Sequence, residues 1–161
     1  MRRIAVLLIL AVLFLYGINK GDLAPNFVLK DLKGKTWKLT ELKGKVVLLV
    51  FFSVHCPHCK KELPAVNNLF LKYANDGLMV LGISVDMEGF EPVEKVRKEL
   101  RIDFPLLVDE KGVFFAYEVS GVPRNVLIDK NGKIYDISEG YSEGEEEIIE
   151  KKILKLLKSN K

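Results

Sequence analysis

The chain has 161 residues with 25 Lys and Arg against 22 Asp and Glu, a net charge of +3, and is 48% hydrophobic and 29% charged. That balance excludes a disordered chain, and the interleaving of lysines with acids leaves no basic stripe of the kind that binds nucleic acid. A domain of about 140 residues can bury a core without staples, so the only 2 cysteines are free for chemistry.

Arg2 and Arg3 precede an apolar run from Ile4 to Ile18, broken only by Tyr16 and Gly17 and followed by Asn19, Lys20, Gly21 and Asp22. This has the form of an export signal. Its length, about fifteen residues, lies between a signal-peptide core and the roughly 17 to 25 residues of a spanning helix, so length alone leaves signal peptide and anchor both open. A cut before Ile18 would place Leu15 and Gly17 at the minus-three and minus-one positions, and no lipobox cysteine is present, which favours a retained anchor. A buried core helix is disfavoured because the run has no polar face. Arginines ahead of the run place the N-terminus inside and the domain outside the cytoplasmic membrane, in a single-pass arrangement. Residues 1–20 therefore read as a signal anchor or signal peptide and residues 21–161 as one periplasmic or extracellular domain.

Phe27 to Leu29 and Thr36 to Leu39 read as two short strands about a turn at Lys33 and Gly34. Val46 to Phe52 is continuously apolar and β-rich, the pattern of a strand covered on both faces. A helix is expected from Pro57 through Leu63, Val66, Leu69, Phe70 and Tyr73 to a stop near Asn75 and Gly77, with Pro64 kinking it. Leu78 to Val85 reads as a second buried strand, Pro92 to Leu100 as a second amphipathic helix, and Phe104 to Val108 as an extended piece before a turn at Asp109 to Gly112. Strand, helix, strand, helix predicts a right-handed parallel crossover. Asn125 to Ile128 and Lys133 to Ile137 flank an Asn131-Gly132 turn and read as an antiparallel hairpin. A closing helix has Glu145 to Glu147 at its start, Lys151, Lys152, Lys155 and Lys158 toward its end, and Ile148, Ile149, Ile153, Leu156 and Leu157 as its apolar stripe. The class is α/β, with a mixed sheet flanked by helices.

All 2 cysteines and 2 histidines fall within His55-Cys56-Pro57-His58-Cys59. The pair sits between a buried strand and the start of a helix, where free backbone N–H groups and the helix dipole favour a thiolate at Cys56, the expected nucleophile. Two intervening residues bring Cys59 within one turn, so it can resolve a mixed disulfide formed at Cys56. Pro57 and His58 tune the pair; a donor or positive charge at His58 stabilises thiolate and hints at an oxidising poise. A zinc site would need ligands from elsewhere in the chain, and a structural bridge across so short a loop would constrain the unfolded chain little. The chemistry expected is two-electron thiol exchange, with no metal and no cofactor.

Ala24-Pro25-Asn26-Phe27, Gly44-Lys45-Val46-Val47-Leu48, Cys56-Pro57-His58-Cys59 followed by Lys60-Lys61-Glu62-Leu63-Pro64, and Gly121-Val122-Pro123 ahead of the hairpin together resemble the thioredoxin superfamily. Within it they resemble the TlpA/ResA-like membrane-anchored thiol:disulfide oxidoreductases, from Asp22 to the last helix. The resemblance implies a thioredoxin-like fold with an N-terminal β-hairpin extension, a cis-proline at Pro123 facing the sulfurs, and Val122 backbone groups that pair with an extended substrate. Glu62 stands where this family places an acidic residue near the cysteines; it reads either as a proton acceptor or as a surface helical glutamate. Val50 replaces the buried aspartate of thioredoxin itself, and His55 the tryptophan common before the first cysteine.

The resemblance implies reduction of cysteines in exported proteins, with apocytochrome c as candidate substrate and a membrane thiol carrier of the DsbD/CcdA type as electron donor. A disulfide-forming oxidase is the alternative, because Cys-Pro-His-Cys is similar to the motif of DsbA, although the helical insertion of that family is missing between Leu78 and Pro123. Peroxiredoxins would have proline and threonine where Leu49 and Ser53 stand. A copper-binding assembly factor of the Sco type would want three residues between its cysteines and a distant histidine.

Overall fold

Val46–Phe52 (β3) is apolar at every position because both of its faces are covered. In this computed structural model, which describes residues 17–159, it is the middle strand of a five-stranded sheet. Leu78–Ser84 (β4) pairs parallel on one side, with Leu106–Val108 (β5) parallel beyond it. Arg124–Ile128 (β6) pairs antiparallel on the other side, and Ile134–Glu139 (β7) closes that edge. The spatial order is β5-β4-β3-β6-β7.

The two-residue period of β3 divides the core. Val46, Leu48, Val50 and Phe52 face a cluster with Leu63 and Val66 of Pro57–Tyr73 (α1), Val93 and Val96 of Phe90–Leu100 (α2), and Ile149, Ile153 and Leu156 of the closing helix Glu145–Lys158. Val47, Leu49 and Phe51 face the other layer. There the hairpin of Val28–Lys30 (β1) and Thr36–Lys38 (β2), the 3₁₀ turn Leu39–Leu42 and Tyr117 cover the sheet. Tyr117 Oη donates to the Pro25 carbonyl at 2.6 Å, fastening the hairpin arm. All three long helices thus share one face.

The expected elements are present with shifted ends. Helix α1 passes into a 3₁₀ turn at Ala74–Asp76 and stops at Gly77, whose φ of 104° is open to glycine, and Pro64 lies within it. Helix α2 begins at Phe90, two residues before Pro92, since proline is accepted in a first turn. The piece from Phe104 shortens to β5. A four-residue helix, Val113–Ala116 (α3), was not anticipated. The closing helix (α4) buries Ile149, Ile153 and Leu156 but leaves Ile148 exposed, because one residue along a helix is a turn of about 100° away from the core.

Residues 21–24 lace onto the β6–β7 turn: Gly21 N donates to Ile134 O, Ile134 N to Asp22 O and Ala24 N to Gly132 O. Asp136 pairs with both Lys20 and Lys152. The expected N-terminal membrane helix lies outside the described residues, among which no helix is long and apolar enough to cross a membrane.

Candidate active site

Strand β3 delivers the chain to the site and α1 takes it away. Cys56 is the N-cap of α1, extended at φ −87° and ψ 112°, with Pro57 at the first helical position and the Cys59 N–H donating to Cys56 Sγ at 3.1 Å. The two cysteines are joined as a disulfide, with Cα atoms 5.3 Å apart. Cys56 is partly exposed; Cys59 is fully buried. The helix start aims its N–H groups and positive dipole end at Cys56, the sulfur that solvent reaches.

The approach loop is clamped by Asp86, which follows β4. Its carboxylate accepts from Ser53 Oγ at 2.7 Å, the Val54 N–H at 2.7 Å and Ser84 Oγ at 2.8 Å. The Cys56 N–H donates to the Ser53 carbonyl at 3.2 Å, so the clamp holds the residue on which Cys56 leans. Asp86→Ala should destabilise the domain by roughly 2–3 kcal/mol, since it strips three donors of their charged acceptor; urea unfolding of the oxidised protein measures this.

Across the disulfide, the Val122 carbonyl oxygen lies 3.6 Å from Cys56 Sγ. The Val122–Pro123 peptide bond is cis, and the Pro123 carbonyl accepts from Gly140 N–H at 2.8 Å. The next residue, Arg124, is buried and pairs with Glu139. A groove of about 200 Å³ lined by Val85, Phe114, Val119, Ser120, Gly121 and Val122 opens beside this loop.

One turn after Cys59, Glu62 points into the protein and is 3% exposed, so it is not a surface helical glutamate. Its Oε1 accepts from Asn125 Nδ2 at 2.6 Å, while its Oε2 and Asn125 Oδ1 are buried with no hydrogen-bond partner among the described residues. Burial pushes the carboxyl up to about 7; the Asn125 donor opposes the shift and the nearby Glu145 charge adds to it. A carboxyl that titrates near neutrality can take a proton and give it back.

His58 is exposed and lines a separate groove with Lys60, Lys61, Pro64, Tyr141 and Glu143; among the described residues no hydrogen bond links it to a sulfur. His55 is exposed too, its Nε2 2.9 Å from Glu88 Oε1. The structure thus gathers Cys56, Pro57, Cys59, Glu62, Val122 and Pro123 at one end of the sheet, with His58 on the rim. Sequence reasoning passed over Asp86 and Asn125. Both carried a signal: Asp86 comes two residues after the buried strand β4, and Asn125 stands with Arg124 at the start of the apolar run of β6, each on the side of the cysteines.

The sequence profile of the AhpC/TSA family matches residues 20–137. The thiol-disulfide oxidoreductase ResA of Geobacillus thermodenitrificans is 38% identical over 121 residues, 74% of this chain and 69% of that protein. ResA of Bacillus subtilis is 36% identical over 124 residues, 76% and 69% of the two chains. Among solved structures, a Chlorobium tepidum protein described as the thiol:disulfide interchange protein DsbE superposes with a TM-score of 0.82 at 32% identity, covering 88% of this chain and 99% of that one.

Proposed function

Because the chain belongs to the AhpC/TSA family and is a thiol:disulfide oxidoreductase of thioredoxin-like fold, we propose that it acts outside the cytoplasm, reducing disulfides of exported proteins through Cys56 and Cys59. The observation that carries this reading is the disulfide at the start of α1, with its one accessible sulfur beside the Val122 carbonyl. In the reduced protein the Cys56 thiolate attacks a substrate disulfide, forming a Cys56–substrate disulfide and releasing one substrate thiolate. Cys59 then gives its proton to Glu62, and its thiolate attacks Cys56 Sγ. The second substrate thiolate leaves and takes up a proton, and the Cys56–Cys59 bond seen here is the product. Val122 pairs through its backbone with the extended substrate, and Pro123 holds that loop against the sulfurs.

Each turnover needs two electrons returned to the pair, the task of a membrane thiol carrier of the DsbD/CcdA type. Apocytochrome c is the candidate substrate. The Arg2-Arg3 start and apolar run to Ile18 support an N-terminal anchor in the cytoplasmic membrane with the domain outside. Cys-Pro-His-Cys supports a second reading as a disulfide-forming oxidase. The test is the reduction potential of the Cys56/Cys59 pair against glutathione or dithiothreitol buffers. A value near the −270 mV or so of thioredoxin supports the reductase; one near the −120 mV or so of DsbA replaces it with the oxidase.

A further inference from the structure

Asn125 enters none of the steps above, yet among the described residues it is the one group bonded to the buried carboxyl of Glu62. Strand β6 is otherwise Val126, Leu127 and Ile128 after Arg124, and Asn125 pairs in register with Val50 of β3. Its side chain is on the α1 face, where Glu62 descends to meet it; Arg124, one residue earlier and in register with Phe51, belongs to the opposite face. A buried amide that bonds with one arm and leaves its Oδ1 unpartnered is costly unless the bonded arm has a task.

We infer that Asn125 is a positioning residue that divides the work of the two Glu62 oxygens, binding Oε1 so that Oε2 is the atom that exchanges a proton with Cys59. The inference rests on the proton-acceptor reading of Glu62. Cys59 and Glu62 stand three residues apart on α1 and so share a helix face. In the resolving step the Cys59 S–H bond breaks, the proton passes to Glu62 Oε2, and the sulfur electron pair forms the new bond to Cys56 Sγ as the substrate thiolate departs. With Oε1 held by Asn125, Oε2 is the oxygen left free to take the proton. The donor stabilises the charged form and keeps Glu62 ready to accept near neutrality. The other charged and titratable groups that act on or feel this carboxyl are Glu145 at the start of α4 and Tyr141 between β7 and α4; Cys59 stands three residues before it on α1, and Val50 of β3 is the register partner of Asn125.

The experiment is a titration of Glu62 in the full chain carrying ¹³C-labelled glutamate side chains, with Glu62→Gln identifying the resonance, alongside the pH profile of disulfide exchange with oxidised glutathione. In Asn125→Leu the Glu62 midpoint should rise by roughly one to two pH units, as expected for loss of a hydrogen bond to a charged group, and the exchange profile should move with it. Asn125→Thr, which keeps a hydroxyl donor on a strand-favouring residue, should restore part of both. A Glu62 midpoint that stays put in both variants overturns the inference, whatever the exchange rates do. A midpoint that moves while the exchange profile of Glu62→Gln matches that of the unaltered protein overturns the proton-acceptor reading instead, and with it the kinetic half of the inference.

Discussion

Cys56→Ser is expected to abolish thiol exchange, and Cys59→Ala to halt it one step later. A serine hydroxyl does not ionise near neutrality, so the first attack is lost, whereas the fold should hold because serine is itself a good N-cap and can accept the Cys59 N–H in place of Cys56 Sγ. In Cys59→Ala the nucleophile remains but the mixed disulfide has no internal attacker. Incubated with a disulfide-bonded protein, this variant should accumulate a one-to-one covalent adduct, visible by mass and released by dithiothreitol, while Cys56→Ser forms none. Adducts on Cys59 in the Cys56→Ser protein would reverse the assigned order of the two sulfurs. Alanine is the better probe at position 59 because that side chain is fully buried, where a serine hydroxyl would lack a partner.

Glu62→Gln should make the protein more stable at pH 8 and slower as an enzyme. The Glu62 carboxyl titrates at about 7 in the folded protein against 4.5 as its ordinary value, so the native state holds this proton more tightly than the unfolded chain. Stability is therefore undiminished below pH 4.5, falls as pH rises toward 7, and is level above it, with about 3 kcal/mol lost over that window. Glutamine carries no charge to bury, and its amide can donate to the idle Asn125 Oδ1 while accepting from Nδ2, a reciprocal amide pair. Urea unfolding at pH 4.5 and pH 8 should show the variant gaining more on the unaltered protein at the higher pH. An equal difference at both would mean that Glu62 does not carry the charge assigned to it.

What was legible in the sequence followed the strength of its periodic signals. The seven apolar residues of β3, the paired cysteines after them and the Asn131-Gly132 hairpin each gave a strong signal, and each is found where it was read. Helix ends were harder: Pro92 looked like a start, but the first turn of α2 tolerates it and extends back to Phe90. Ile148 looked like core because isoleucine is apolar, although the 3.6-residue period already turns it outward. Asp86 and Asn125 stood out as polar residues beside apolar strands, but their partners were beyond the reach of pattern reading for a common reason. The Asp86 clamp joins groups 32 and 33 residues apart and the Asn125–Glu62 bond spans 63, so both exist only once the parallel crossover has set β4 and β6 on either side of β3.

The unequal exposure of the two sulfurs has a consequence for traffic through the site. Cys59 is sealed in the core, so every partner, whether it delivers electrons or collects them, must attach at Cys56. Two partners cannot occupy one atom together, and donor and recipient must take turns. A recipient disulfide reacts only with the reduced pair and a donor thiol only with the Cys56–Cys59 disulfide, so throughput should rise to a plateau with either partner, and the plateau should be set by the concentration of the other.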